Sequence, residues 1–328
     1  METARQIIDE LTDRCADRLI FRAGVWKPRT SPHTFQGVGE EGLKWLQEVR
    51  ETFGVPVATE VATPEHVAAA MEAGIDYLWI GARSSATPIV VQSLADAIDR
   101  FAQRKKTALL KEKRPQGILI KNPVNADAEL WLGNIERLEK TGVPVMAVHR
   151  GCGHKPCWAM AHTVRTARPD IPMLLDPSHL SGDAAKVPAL LEKVPEVGLD
   201  GAMVEVPYKP SEALSDSKQQ IRPADLTAAL TEHRPATPDR IQTDNVELNW
   251  LRAEIDELDD RLWETIAARM DVSRRIGQWK KAHGVAPLQP ERYKQVLERI
   301  QNTEYRIQTD FAKQLYDLIH EESLKQQQ

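Results

Sequence analysis

The sequence predicts an α/β fold, a (β/α)8 TIM barrel, followed by an all-helical domain. Three observations predict this. Up to about residue 210, short β-rich apolar runs alternate with amphipathic helical segments. Nearly every one of those runs ends in a charged or reactive residue. Beyond residue 246 no strand-like run occurs, and apolar residues recur at helical spacing.

The chain opens on METARQIIDELTDRC, an amphipathic charged stretch that predicts a helix and is not a signal peptide. The strand-like runs follow at 19–26, 55–60, 77–81, 117–121, 144–149, 172–176 and 201–206. Helical patterns lie between them, among them 42–53, 64–73 and 89–105. Strand and helix in alternation is the pattern of βαβ units and a parallel sheet, either a barrel or an open doubly wound sheet. The run ends decide for the barrel. Lys27 and Arg29, Glu60, Arg83, Lys121, Arg150, His179 and Glu205 would converge at one face, as strand C-termini do in (β/α)8 enzymes. No G-x-G-x-x-G follows a strand, which counts against a dinucleotide fold. Seven runs leave the barrel one strand short. Either one run is hidden, or the first strand lies upstream of Met1.

Residues 233–245 read HRPATPDRIQTDN, a polar stretch with two prolines. The expected organisation is a barrel over 1–233, a linker over 234–245 and a helical domain over 246–328. In that domain Leu248, Leu251, Ile255, Leu258, Leu262 and Ile266 repeat at helical spacing, and the stripe runs on to Ile276. Residues 291–301 and 309–325 predict two further helices. Three helices in so few residues make a marginal monomer, so a homodimer with intertwined helices is expected to cover the stripes.

Composition bounds the function. The 328 residues are 41% hydrophobic and 28% charged, an ordinary globular balance. The net charge of -5 gives no footprint of nucleic-acid binding. No apolar run is long enough to cross a bilayer. Three cysteines make no secreted disulfide framework, and a reducing cytoplasm is the expectation.

Three clusters carry chemistry in the first part. RAGVWKPRTSP places Arg22, Lys27, Arg29, Thr30 and Ser31 near one strand end, where cations and hydroxyls suit phosphate or carboxylate. A solvated basic loop is the plain alternative. IGARS adds Arg83 beside Gly81, and ILIKNP and VHRG add Lys121 and Arg150. Any one of these could be a surface residue, but five strand-end cations in one barrel call for an anionic ligand. His179 in LLDPSH, Glu205 in MVEVP and Asp216 in ALSDSKQ are one imidazole and two carboxylates, a donor set for a divalent metal. Cys152 and Cys157 flank His154 in HRGCGHKPCW, with a spacing unlike common zinc sites, and read as two free thiols on a loop.

KPRTSPHTFQGVG, IGARS, HRG, DPSH and EALSDSKQ together resemble the 3-deoxy-D-arabino-heptulosonate-7-phosphate (DAHP) synthase family, type I group, β branch. The resemblance covers roughly residues 5–230. It implies condensation of phosphoenolpyruvate with erythrose 4-phosphate and release of phosphate. It implies that Arg22, Lys27, Arg83, Lys121 and Arg150 hold phosphoenolpyruvate and that Arg29, Thr30 and Ser31 hold erythrose 4-phosphate; in that chemistry Lys121 is either a proton donor or a group that only neutralises charge. It further implies that His179, Glu205 and Asp216 bind a divalent metal, Mn²⁺ before Fe²⁺, Co²⁺ or Zn²⁺. The family's fourth metal ligand is a cysteine in a Gly-Pro-Cys-Ser motif ending the first strand. That motif does not occur here and would fall just before Met1, so the resemblance implies that the missing strand and the missing ligand are one N-terminal truncation.

In the helical part, LRAEIDELDDRLWETIAARM, RRIGQWKK and PERY resemble the all-helical chorismate mutase family over residues 246–328. That resemblance implies that Arg252 reaches the partner subunit's site. It implies that Arg269 and Arg292 grip the carboxylates of chorismate, that Lys280 and Gln327 face its ether oxygen, and that Ser323 lies on the same helix face as Gln327. Gln289 and Tyr293 stand where the family often has carboxylates.

The expected function is thus bifunctional. The alternative makes the helical domain a ligand-sensing and dimerising module, and a weaker one makes the barrel a generic aldolase. Fusion of an early to a later step predicts feedback, with prephenate on the helical domain restraining the barrel. Residues 1–328 are expected to show mutase activity and weak or no synthase activity.

Overall fold

The computed structural model describes residues 1–15, 19–28, 33–107, 115–232, 243–302 and 307–327. It divides into two compact units, Met1–Glu254 and Ile255–Gln328.

The first unit alternates strand and helix. In chain order it runs α1 (Glu2–Cys15), β1 (Phe21–Arg22), α2 (Glu41–Phe53), β2 (Val57–Glu60), α3 (Pro64–Glu72), β3 (Tyr77–Ile80), α4 (Ala82–Ser85), α5 (Pro88–Thr107) and β4 (Gly117–Lys121). It continues with α6 (Ala128–Glu139), β5 (Val145–His149), α7 (Trp158–Ala167), β6 (Met173–Leu175), α8 (Pro177–Ser181), α9 (Val187–Glu196), β7 (Gly201–Ala202) and α10 (Pro223–Glu232). All seven strands are parallel and pair in sequence order, β1 to β7. The barrel expectation therefore holds, with seven strands among the described residues.

The end strands are far shorter than the runs that predict them. The run 19–26 yields only Phe21–Arg22, and 201–206 only Gly201–Ala202. Among the described residues each has a neighbour on one side only, β2 for β1 and β6 for β7. A ladder extends only as far as its partner, so the doubly flanked β4 and β5 reach five residues each.

Two apolar layers follow from the period of two along a strand. Val57, Leu78, Ile80, Ile118, Ile120, Val145, Ala147, Met173 and Leu175 belong to the core beneath the helices. The intervening residues Ala58, Trp79, Leu119, Val148 and Met203, with Ile20 and Leu174, form a separate cluster on the other face. That inner layer is the floor of the site.

The second unit consists of the C-terminal part of α11 (Thr243–Ala282), α12 (Pro290–Asn302) and α13 (Thr309–Lys325). The helix begins at Thr243, and residues 234–242 of the expected linker lie outside the described residues. The first turns of α11 pack on the first unit. Trp250 and Ala253 are buried in its core, with Val246 against them. Among the described residues, no helix is long and apolar enough to cross a membrane.

Candidate active sites

The strand register builds the barrel site. Two residues beyond each member of the inner layer, the side chain points to the same face at the C-terminal end of the strand. From Ile20, Ala58, Trp79, Leu119, Val148, Leu174 and Met203 this step leads to Arg22, Glu60, Gly81, Lys121, Arg150, Asp176 and Glu205. All but Asp176 line one cavity of about 2080 Å³, together with Lys27, Arg83, His179 and Asp216. The same cavity continues between β1 and β7, past Ile7, Leu11, Leu19, Leu199 and Leu226.

Asp176 organises the floor. It caps α8, accepting from the His179 backbone N–H, and Pro177 fixes the first helical position. This one-turn helix folds the His179 ring back, with Nδ1 3.1 Å from Asp176 Oδ1. The Lys121 ammonium donates to Asp176 Oδ2 at 2.6 Å, with both side chains buried. Burial pushes the Asp176 carboxyl upward, but the charges of His179, Lys121 and Arg22 outweigh it and hold the group well below the usual carboxylate range.

Around this pair the charges interlock. Arg22 lies 3.5 Å from Glu205 and sits over the Trp79 ring at 5.3 Å. Gln219 Nε2 donates to Glu205 at 2.8 Å. Lys27 donates to Ser215 at 2.5 Å and lies 3.6 Å from Asp216. Arg83 donates to the Pro28 carbonyl, and Arg150 to that of Gly151. Neither guanidinium has an ion pair among the described residues, which leaves two cations free for an anion. Burial pushes the Glu60 carboxyl upward, against the pull of Lys121, Arg22 and His179. A Cβ on Gly81 would fall 2.2 Å from Glu60 Oε1, so the glycine makes room for that carboxylate.

The three expected metal ligands do not close up as a set. His179 Nε2 lies 4.0 Å from Glu205 Oε1, whereas Asp216 is held toward Lys27. Among the described residues no group of three His, Cys, Asp or Glu is placed to hold a metal. The residues present therefore supply two converging donors, short of a metal centre. Arg29, Thr30 and Ser31 lie outside the described residues. Cys152 and Cys157 are free thiols, partly buried. Sequence reasoning named Glu60 only as a strand end and passed over Asp176. The register step just described would have found both.

The second unit holds its own polar cluster. Gly277 allows the close approach that builds it, since a Cβ there would lie 2.5 Å from the Gln327 Cα. Lys280 on α11, almost fully buried, donates to Gln327 Oε1 at 2.9 Å and to the Pro287 carbonyl. Arg269 donates to the buried Ser323 hydroxyl and to the Ile319 carbonyl at 3.3 Å. These four expected residues are thus brought together. Arg292 is exposed on α12 and donates to Gln295 at 3.4 Å, and Gln289 is exposed just before that helix. Arg252 is exposed on the part of α11 that belongs to the first unit. The Tyr293 hydroxyl donates to Asp317, so a carboxylate stands behind the tyrosine.

Comparison with known proteins agrees with both halves. Residues 1–237 match the DAHP synthetase I family, and residues 251–328 match chorismate mutase type II. A phospho-2-dehydro-3-deoxyheptonate aldolase of Thermotoga maritima is 30% identical over 204 residues, covering 62% of this chain and 56% of that protein. A 2-dehydro-3-deoxyphosphooctonate aldolase of Helicobacter pylori is 27% identical over 227 residues, covering 65% and 81%. The crystal structure of the Thermotoga maritima heptonate aldolase superposes with a TM-score of 0.57 at 25% identity, over 71% of this chain and 63% of that one. A truncated form of the Thermotoga maritima 3-deoxy-D-arabino-heptulosonate 7-phosphate synthase gives 0.56 at 22% identity, over 71% and 80%. The chain thus spans just over half the length of the heptonate aldolase relative. Over residues 1–237 the chain belongs to the DAHP synthetase I family, and it carries a chorismate mutase type II domain over residues 251–328.

Proposed function

We propose that this chain is a cytoplasmic bifunctional enzyme of the shikimate pathway. Its barrel condenses phosphoenolpyruvate with D-erythrose 4-phosphate and water to give DAHP and phosphate. Its helical domain rearranges chorismate to prephenate. The observation that carries the first half is the ring of polar residues two positions beyond the inner layer, with Arg83 and Arg150 unpaired.

In the barrel, Arg22, Lys27, Arg83, Lys121 and Arg150 hold phosphoenolpyruvate, and Arg29, Thr30 and Ser31 hold the sugar phosphate. The C3 carbon of phosphoenolpyruvate bonds to the aldehyde carbon, and the aldehyde oxygen must gain a proton. Lys121, held by its hydrogen bond to Asp176, can deliver that proton. Water adds at C2, and phosphate leaves. DAHP synthases are generally metal-dependent, and a divalent ion, Mn²⁺ before Fe²⁺, Co²⁺ or Zn²⁺, belongs to the proposal. His179 and Glu205 are its converging donors, with Asp216 on the same cavity wall. The octonate relatives form an eight-carbon product, which needs a five-carbon aldose phosphate. Offering four- and five-carbon aldose phosphates in parallel tests the choice, and only the four-carbon substrate should release phosphate.

The helical site needs no nucleophile. It must hold a dicarboxylate in its reactive shape and stabilise charge growing on the ether oxygen. Arg269 and Arg292, with Ser323, bind the carboxylates and nearby oxygens. The Lys280 N–H fixes the Gln327 amide by its oxygen, so both the ammonium and the Gln327 NH2 remain available to the ether oxygen. Lys280→Ala should lower chorismate turnover by at least about a hundredfold, the scale for loss of one such donor. No chorismate turnover by the wild-type chain would leave the helical domain a sensing module.

We also propose a homodimer through the helices. Leu251, Ile255, Leu258 and Leu262 follow one another at helical spacing along α11 and are 44–58% exposed. That apolar stripe fits a second copy, to which Arg252 would lend its guanidinium. Prephenate bound at the helical site would restrain the synthase. Unchanged synthase rate at saturating prephenate would contradict that feedback.

A further inference from the structure

The last helix carries a histidine that the mutase chemistry above does not use. His320 lies on α13 one turn before Ser323, so residues 316, 320, 323 and 327 share a face. On that face Ser323 and Gln327 hold Arg269 and Lys280. His320 therefore stands beside the two cations of the site. Its ring is fixed by aromatic contacts, with Tyr293 of α12 at 4.7 Å between centroids and Tyr316 at 5.9 Å and 18°. The Arg269 guanidinium lies over the other ring of this group, 5.9 Å from the Tyr316 centroid. The His320 Nε2 is cut off from solvent and has no hydrogen-bond partner among the described residues. A desolvated nitrogen without a partner is unfavourable, and a ligand oxygen would relieve it.

We propose that His320 is a ligand-contacting residue of the helical site, its Nε2 facing an oxygen of the bound dicarboxylate. The proposal rests on the mutase reading of that site. Five groups face the imidazole: Arg269 and Lys280 from α11, Tyr293 from α12, and Tyr316 and Asp317 from α13. Burial lowers the pKa of the ring, and Arg269 and Lys280 add to this, while Asp317 opposes it. A dianion seated between Arg269 and Lys280 cancels their effect, so binding draws a proton onto His320. Affinity then rises as pH falls, because the complex holds more protons than the free protein.

Prephenate titrated calorimetrically into the full chain, in two buffers of different ionisation enthalpy and at several pH values, tests this. The wild type should take up a fraction of a proton on binding. His320→Gln keeps a hydrogen-bonding Nε2 but cannot titrate, so it should bind within about threefold of wild type with no proton uptake. His320→Leu should bind about tenfold more weakly, also without uptake, at an unchanged thermal midpoint. If His320→Leu fails to fold, proton uptake by His320→Gln decides. Wild-type affinity and uptake in His320→Leu, or persisting uptake in His320→Gln, would overturn the proposal alone. A wild-type chain that neither binds prephenate nor converts chorismate would overturn the mutase reading and this proposal with it.

Discussion

Asp176 and His149 are both fully buried on the barrel, and each constrains it differently. Asp176 is the partner of the buried Lys121 ammonium, and removing it leaves that charge without compensation. Asp176→Asn should cost about 3–5 kcal/mol in denaturant melts as well as activity, the scale for breaking one side of a buried pair. His149 points the other way from its neighbours Val148 and Arg150, outward under α6 and α7, between Trp131 and Trp158. Neither ring nitrogen reaches a partner at hydrogen-bond geometry. Burial drives its pKa down to about 4, with the Pro156 carbonyl opposing. A histidine depressed in the folded state takes up protons in the unfolded state first. Stability should therefore fall as pH drops from about 6.5 to about 4, and this limb should flatten in His149→Phe. Melting midpoints against pH for the two proteins check it. At this scale the sequence was partly legible. Strand ends such as Lys121, Arg150 and Glu205 follow from alternation alone. Asp176 was passed over and Glu60 was named only as a strand end, because their roles come from groups on other strands. His320 and Asp317 were missed because nothing on their own helix pattern marks the contact with Tyr293.

The long helix shows what element-level patterning can and cannot reveal. Periodicity predicted a helix and its apolar stripe, and α11 runs through the whole predicted region. It could not tell which face meets which neighbour. Leu248, Leu251, Ile255, Leu258 and Leu262 are exposed, while the intervening Trp250 and Ala253 are buried on the first unit. A clasp holds those first turns. His162 of α7 stacks on Trp250 at 5.4 Å and 4°, with Glu254 at 2.7 Å from Nδ1 and Glu247 at 3.1 Å from Nε2. Asn249 donates to the Glu196 carbonyl at 2.8 Å. Partial burial disfavours the imidazolium, but hydrogen bonds to Glu254 and Glu247 outweigh this and raise its pKa. For a raised histidine the clasp is complete below the unfolded pKa and is lost as pH rises through the folded one. Hydrogen exchange at residues 246–254 should quicken as pH rises, beyond the intrinsic chemical trend. His162→Phe keeps the ring stack and should remove that excess. The short strands and the one-turn helices α4 and α8 were not legible either, since their lengths are set by pairing and capping partners and not by their own periodicity.

As a whole molecule the chain joins two sites in different states of completion. In the second unit, Arg269, Lys280, Ser323 and Gln327 already engage one another. In the first, cations gather in the cavity, yet among the described residues β1 and β7 each pair on one side only and His179 and Glu205 alone converge as the expected metal donors. The two-domain organisation was legible because the sequence changes style near residue 246. The division between units at Glu254 was not, because a continuous helix crosses it. The most direct test compares the two activities in one preparation of residues 1–328, with Mn²⁺ supplied. The expected result is prephenate formation that Lys280→Ala lowers at least about a hundredfold, together with metal-dependent DAHP formation. No DAHP formation with the metal supplied, or no conversion of chorismate, would contradict it.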